Sequence, residues 1–89
     1  MVHHKLKSFP HRFQRMWDKE MLGEARYNGD RNFQEGDCVT LIEGTQHGEL
    51  FIPTGRTTSA IISCIDTFSV PEGFVSLSYD KLGILIVEG

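Results

Sequence analysis

The sequence predicts an α+β fold that is mainly β: a small barrel of five to six strands with one early helix packed on it. Three observations carry this expectation. Apolar residues recur at helical spacing in one stretch only, near the N-terminus. Beyond residue 23 they alternate with period two or sit in β-branched runs, as strands require. The chain has only 89 residues, so so many short strands fit best in a sheet that closes on itself and removes its exposed edges. An open α+β sheet is the alternative architecture.

The elements follow in order. His4-Lys5-Leu6-Lys7 alternates polar and apolar residues like a half-buried strand, and Ser8 to Pro10 ends it. Pro10 pre-sets a helical dihedral at a first turn. The residues Phe9, Phe13, Met16, Trp17 and Met21 then form one apolar helix face. Phe13, Met16 and Trp17 are expected in the core, plugging one end of the barrel. After Gly23 the period changes to two in Glu24-Ala25-Arg26-Tyr27, and the run Asn28 to Asn32 supplies turn chemistry. Gly36-Asp37 opens a strand Cys38 to Ile42; Gly44 to Gly55, with Gly48 and Pro53 inside it, reads as a mobile polar loop. Strands are expected over Thr57 to Ile65, Phe74 to Tyr79 and Leu82 to Val87, with Asp80-Lys81 as a hairpin turn between the last two. Residues 1–89 form one domain, without internal repeats.

Composition narrows the function classes. No apolar run approaches the roughly 20 residues of a membrane span, and the basic N-terminus lacks the apolar stretch of an export signal. The expectation is a cytoplasmic protein without a membrane partner. Cys38 and Cys64 have no metal spacing and are too few for a disulfide scaffold, so both read as small core residues. His3 and His4 point to opposite faces of a strand while His11 and His47 lie far apart in the chain, so no metal site and no cofactor are expected.

Charge is unevenly distributed along the chain. Residues 1–17 hold Lys5, Lys7, Arg12 and Arg15 and no acid, whereas the rest hold five bases and twelve acids. A polyanion would meet the basic end. The competing reading is an ordinary solvated terminus. Glu24 and Arg26, two apart on a strand, project to one face beside the helix end that carries Lys19. An Arg fork and a carboxylate suit a base edge and a phosphate, although a structural ion pair uses the same two residues. Asp30 and Arg31 offer turn capping or ligand contact, and Asp37 reads as a strand-entry acceptor for loop amides. Tyr27 offers a stacking surface for a base; Phe33 reads as an anchor under the loop.

The motifs His4-x-Leu6-Lys7, Pro10-x-x-Phe13, Glu24-x-Arg26, the run from Asn28 to Asp37, and Thr54-Gly55-Arg56 occur in that order between residue 4 and about residue 79. Together they resemble a bacterial and phage domain family of unknown function related to the ASCH domains of the PUA-like superfamily. The resemblance implies a PUA-like β-barrel and a nucleic-acid or nucleotide role. The chain departs from the pattern twice. Gly29 separates Asn28 from Asp30, where the family usually runs Asn-Asp-Arg. Some related ASCH proteins are amidohydrolases that deacylate a modified cytidine with a Lys and a Thr five and four residues before the strand Arg; here those positions are Met21 and Leu22, which can neither carry a proton nor attack. Only Lys19, after a two-residue shift, could stand in.

Three functions therefore compete. The leading expectation is a non-enzymatic module binding RNA or a nucleotide through Lys7, Lys19, Glu24, Arg26 and Arg31, with Tyr27 as a stacking residue. The alternatives are a protein-interaction module and an N4-acetylcytidine-type amidohydrolase.

Overall fold

The computed structural model describes residues 2–29 and 31–83. The chain runs β1 (His3–Ser8), α1 (Pro10–Trp17), β2 (Gly23–Tyr27), β3 (Cys38–His47), β4 (Leu50–Asp66) and β5 (Phe74–Asp80). The strands form one sheet in the order β1-β3-β4-β5-β2. Only β1 and β3 are parallel; every other neighbouring pair is antiparallel.

The mainly β, α+β expectation holds. The closed barrel is not what the structure describes, because β1 and β2 are the two edges of the sheet and no ladder joins them. They nevertheless face each other. The Arg26 Nη2 of β2 donates to the Lys7 carbonyl of β1 at 2.9 Å, so the sheet curls until its edges are bridged by a side chain. Side-chain bridging leaves a seam that a backbone ladder would have filled. The sixth strand expected at Leu82 to Val87 lies, apart from Leu82 and Gly83, outside the described residues; Leu82 itself is buried in the core.

The curled sheet encloses a single core built from Leu6, Phe13, Met16, Phe33, Val39, Leu41, Ala60, Ile62, Val75, Leu77, Tyr79 and Leu82. Helix α1 contributes Phe13 and Met16, both fully buried. Trp17, expected beside them, is instead 44% exposed. It is the last helical residue, and its ring packs on the rim against Phe13 at 5.7 Å and over the Arg56 guanidinium at 5.0 Å. The helix stops there because Lys19 takes a left-handed conformation at φ 63°, and the Glu20 and Met21 amides turn back onto the Arg15 carbonyl.

Two further expectations are corrected. The segment from Gly44 to Gly55 is not a loop but most of a long β3–β4 hairpin, turned tightly at Gly48-Glu49 with Gly48 at φ +64°. Pro53 sits in β4 opposite Gly44, next to a register shift between Ile42 and Gly44, where a missing ladder donor is tolerated. The ribbon is solvated, so its polar composition resembled that of a loop. Cys38 is buried as expected, but Cys64 is exposed. A second register shift between Ile62 and Cys64 inserts Ser63, which turns Cys64 outward although it shares the parity of buried Ile62.

Two buried carboxylates tie these elements together. His4 Nε2 lies 2.8 Å from Asp37 Oδ2, and Asp37 also accepts the Val2 and Gln34 amides. Burial would raise the Asp37 pKa, but the His4 bond and the two amides outweigh it and hold the carboxyl below its ordinary range. The loop-amide role expected of Asp37 is thus present, with His4 added. On the hairpin, Arg56 grips Glu43 with Nε at 3.0 Å and Nη2 at 2.7 Å, and Nη2 reaches Gln14 of α1 at 2.8 Å. The Arg56 hydrogen bonds depress the Glu43 pKa, overriding its burial. Thr54-Gly55-Arg56 therefore fastens the hairpin to the helix.

Candidate binding recess at the sheet seam

The seam between β1 and β2 begins as a consequence of strand parity. Residues Leu6 and Ser8 of β1 turn inward, and so does Glu24 of β2. Helix α1 follows β1 directly after Ser8, and its first turn lies at the same place, with Arg12 Nη1 3.6 Å from Glu24. The result is an open recess of about 430 Å³ lined by Lys7, Ser8, Phe9, His11, Arg12 and Arg26. Volumes of this order are usual for small-molecule sites.

Glu24 is the electrostatic centre. Its side chain is 1% exposed, and Oε2 accepts the Tyr79 hydroxyl at 2.6 Å. Burial, and then the Glu24 charge, push the Tyr79 pKa upward, so the phenol stays protonated and keeps donating. Glu24 Oε1 faces two arginines, Arg26 Nε at 3.1 Å and Arg12 Nη1 at 3.6 Å. The Arg26 contact is out of line for a hydrogen bond. Glu24 Oε1, Arg26 Nε and the Ser8 hydroxyl are consequently all buried without a hydrogen-bond partner. Glu24 Oε1 and Arg26 Nε compensate each other as an ion pair, whereas the Ser8 hydroxyl, in the lining of the recess, has no partner, and leaving such a group unpaired costs about 1–3 kcal/mol.

The structure brings together Glu24, Arg26 and Lys7 among the residues expected to bind. Arg26 is preoriented by the Lys7 carbonyl and by Glu24. The Lys7 ammonium stands 5.2 Å from the Phe51 ring, at the rim. Lys19 is elsewhere: it lines a second recess of about 420 Å³ with Trp17, Thr57, Thr58, Ser59 and Gly83. Arg31 is exposed on the loop, its amide bonded to the Asn28 carbonyl, and lines neither recess. Asp30 lies outside the described residues. Tyr27, one residue after Arg26, belongs to the opposite strand face; it is exposed and packs edge-on against Phe74 in a third, shallow depression. Phe33 is buried against the His4 ring, in the anchoring role expected of it.

Sequence reasoning missed Ser8 and Arg12. A serine closing a strand and an arginine in the next helix's first turn carry no motif, and only the seam makes them neighbours. Among the described residues no group of three or more His, Cys, Asp or Glu side chains is placed to hold a metal ion, and no helix is long and apolar enough to cross a membrane.

A family model described as "Domain of unknown function (DUF3850)" matches residues 3–79. A search of curated proteins finds no match.

Proposed function

The chain belongs to this family of uncharacterised domains, and we propose that it is a cytoplasmic, non-enzymatic module that binds RNA or a nucleotide in the seam recess. In this reading the curled sheet is an open relative of the PUA-like, ASCH-related fold, and its unpaired seam serves as the ligand site. The observation that carries the proposal is the recess flanked by Arg12 and Arg26, with the buried Glu24 carboxylate paired to both of them behind it. A base edge offers ring-nitrogen and carbonyl acceptors for the guanidinium. Phosphate would meet Arg12 and Lys7.

A binding role suits the chain better than amide hydrolysis. Met21 and Leu22 stand at the positions of the relatives' Lys and Thr, and Lys19 lines a different recess from Glu24. A protein-interaction role is the second reading, favoured by the exposed Leu50 and Ile52 on the hairpin and by Phe68, Tyr27 and Phe74 at the opposite end of the sheet.

The test is a protein NMR titration with the four nucleosides, their monophosphates and short single-stranded RNAs. Amides of residues 7–12 and 24–26 should shift together, and Arg12→Ala should weaken binding several-fold, less so at high salt. Shifts confined to residues 50–52 or 68–74 on mixing with protein partners, with none at the seam for any nucleotide, would favour the second reading instead.

A further inference from the structure

We propose that the floor of the seam recess is a seat for a terminal phosphate monoester, as on a mononucleotide or a phosphorylated RNA end, and not for a bridging phosphodiester. This inference rests on the nucleotide reading above and names the chemistry of its ligand.

The first turn of α1 supplies donors. Pro10 at the first helical position has no amide hydrogen, and the His11 and Arg12 amides have no acceptor within the helix. The cap residue Phe9 offers no side-chain bond, and the first turn holds no acidic residue. The positive end of the helix is therefore left unneutralised, which favours an anion there.

Ser8 is an independent observation at the same place. It lines the recess, is 3% exposed, and its hydroxyl is buried without a partner. A hydroxyl donates to a phosphate oxygen as readily as it accepts from water, and nothing in the protein uses it otherwise. The Ser8 hydroxyl is closed to solvent, so an oxygen that reaches it must press into the recess wall and then lies at the bottom of the recess with protein behind it. A diester seated there would need its chain to enter and leave past β1 and α1. A terminal phosphate needs a single exit.

Charge agrees with a dianion. Arg12, Arg26 and the rim residue Lys7 stand against one carboxylate, Glu24, which is already engaged by Tyr79 and both arginines. The balance of two positive charges suits a monoester better than the single charge of a diester.

The experiment uses titration calorimetry on the full chain with wild type and Ser8→Ala. Removing an unsatisfied buried hydroxyl is close to neutral for folding, so the variant should remain stable and its effect on binding should be readable. The ligands are each nucleoside, its monophosphate, ribose 5-phosphate, and one hexanucleotide RNA with and without a 5′-phosphate. Phosphorylated forms should bind at least about tenfold more tightly than their unphosphorylated partners, and Ser8→Ala should shrink that gap; a gap that Ser8→Ala leaves undiminished overturns the seat. A Ser8-dependent gap in mononucleotides, in the RNA end or in both supports the seat and identifies its source. Equal affinity for nucleoside and monophosphate overturns the seat but leaves the nucleotide reading standing. Ser8-dependent binding of ribose 5-phosphate that no base improves keeps the seat and removes the nucleotide reading. Absence of binding in every arm removes both.

Discussion

At the scale of single residues, the informative side chains are the buried carboxylates, because each is stabilised by a different partner set. Glu43 is held ionised by Arg56, and Asp37 by His4 with two backbone amides. Both folded-state pKa values lie below the ordinary values of 4.5 and 3.8, so the unfolded chain binds more protons in acid than the native protein does. The stability these groups contribute is present above those ordinary values and is lost as pH falls through them toward the depressed native pKa. Urea unfolding followed from pH 7 to pH 3 should show a decline that begins near pH 4.5. Glu43→Gln and Asp37→Asn should each flatten their part of that decline while lowering stability at pH 7. A variant that leaves the pH profile unchanged would mean that the carboxylate does not contribute through its charge. Asp37 was legible as an acceptor because glycine precedes it at a strand entry. Its partner His4 was not, since the pair is 33 residues apart and meets only when β1 lies beside β3.

At the scale of elements, α1 brings its first turn to the seam and its apolar face to the core, and Phe13 and Trp17 on that face differ. Phe13 is fully buried, whereas Trp17 keeps 44% of its surface exposed against Arg56. Phe13→Ala should therefore cost about 3–5 kcal/mol, and Trp17→Ala roughly half as much. Chemical denaturation of the two variants checks the order. In the folded wild type the indole should be readily quenched by acrylamide; a shielded indole would place Trp17 in the core after all. Helical spacing alone put Phe13 and Trp17 on one face, which is correct. Periodicity carries no information about where the underlying sheet ends, and that edge separates a core residue from a rim residue. The β3–β4 hairpin teaches the same lesson from the other side, for a solvated ribbon has the composition of a loop and is recognised only through its register.

At the scale of the whole molecule, the seam is both the weakest line of the sheet and the proposed ligand site. Its edges are held by the Arg26 bond to the Lys7 carbonyl and by the charge cluster around Glu24, without a ladder. Arg26→Ala should loosen β1 and β2 first. Hydrogen exchange should show faster amides in residues 3–8 and 23–27 and nearly unchanged protection in the central β3 and β4. Uniform acceleration across all strands would mean that the seam is not an independent line of opening. Ligand binding to the wild type should slow exchange in the same two segments, because the ligand would bridge what the backbone leaves unpaired.

The sequence by itself determined the mainly β class, the single amphipathic helix beginning at Pro10, the core roles of Phe13, Met16 and Phe33, and the shared strand face of Glu24 and Arg26. These follow from local periodicity and from residues two to four positions apart, whose relative directions are set by helix and strand geometry alone. Tertiary structure decided which cations share the recess. Arg12 joins Lys7 and Arg26 there, while Lys19, Arg31 and Tyr27 lie outside it. That choice depends on how far the sheet curls, on the inserted residues that shift β3 and β4, and on where the first turn of α1 falls. Each of these is set by contacts between residues distant in the chain, which no local pattern encodes.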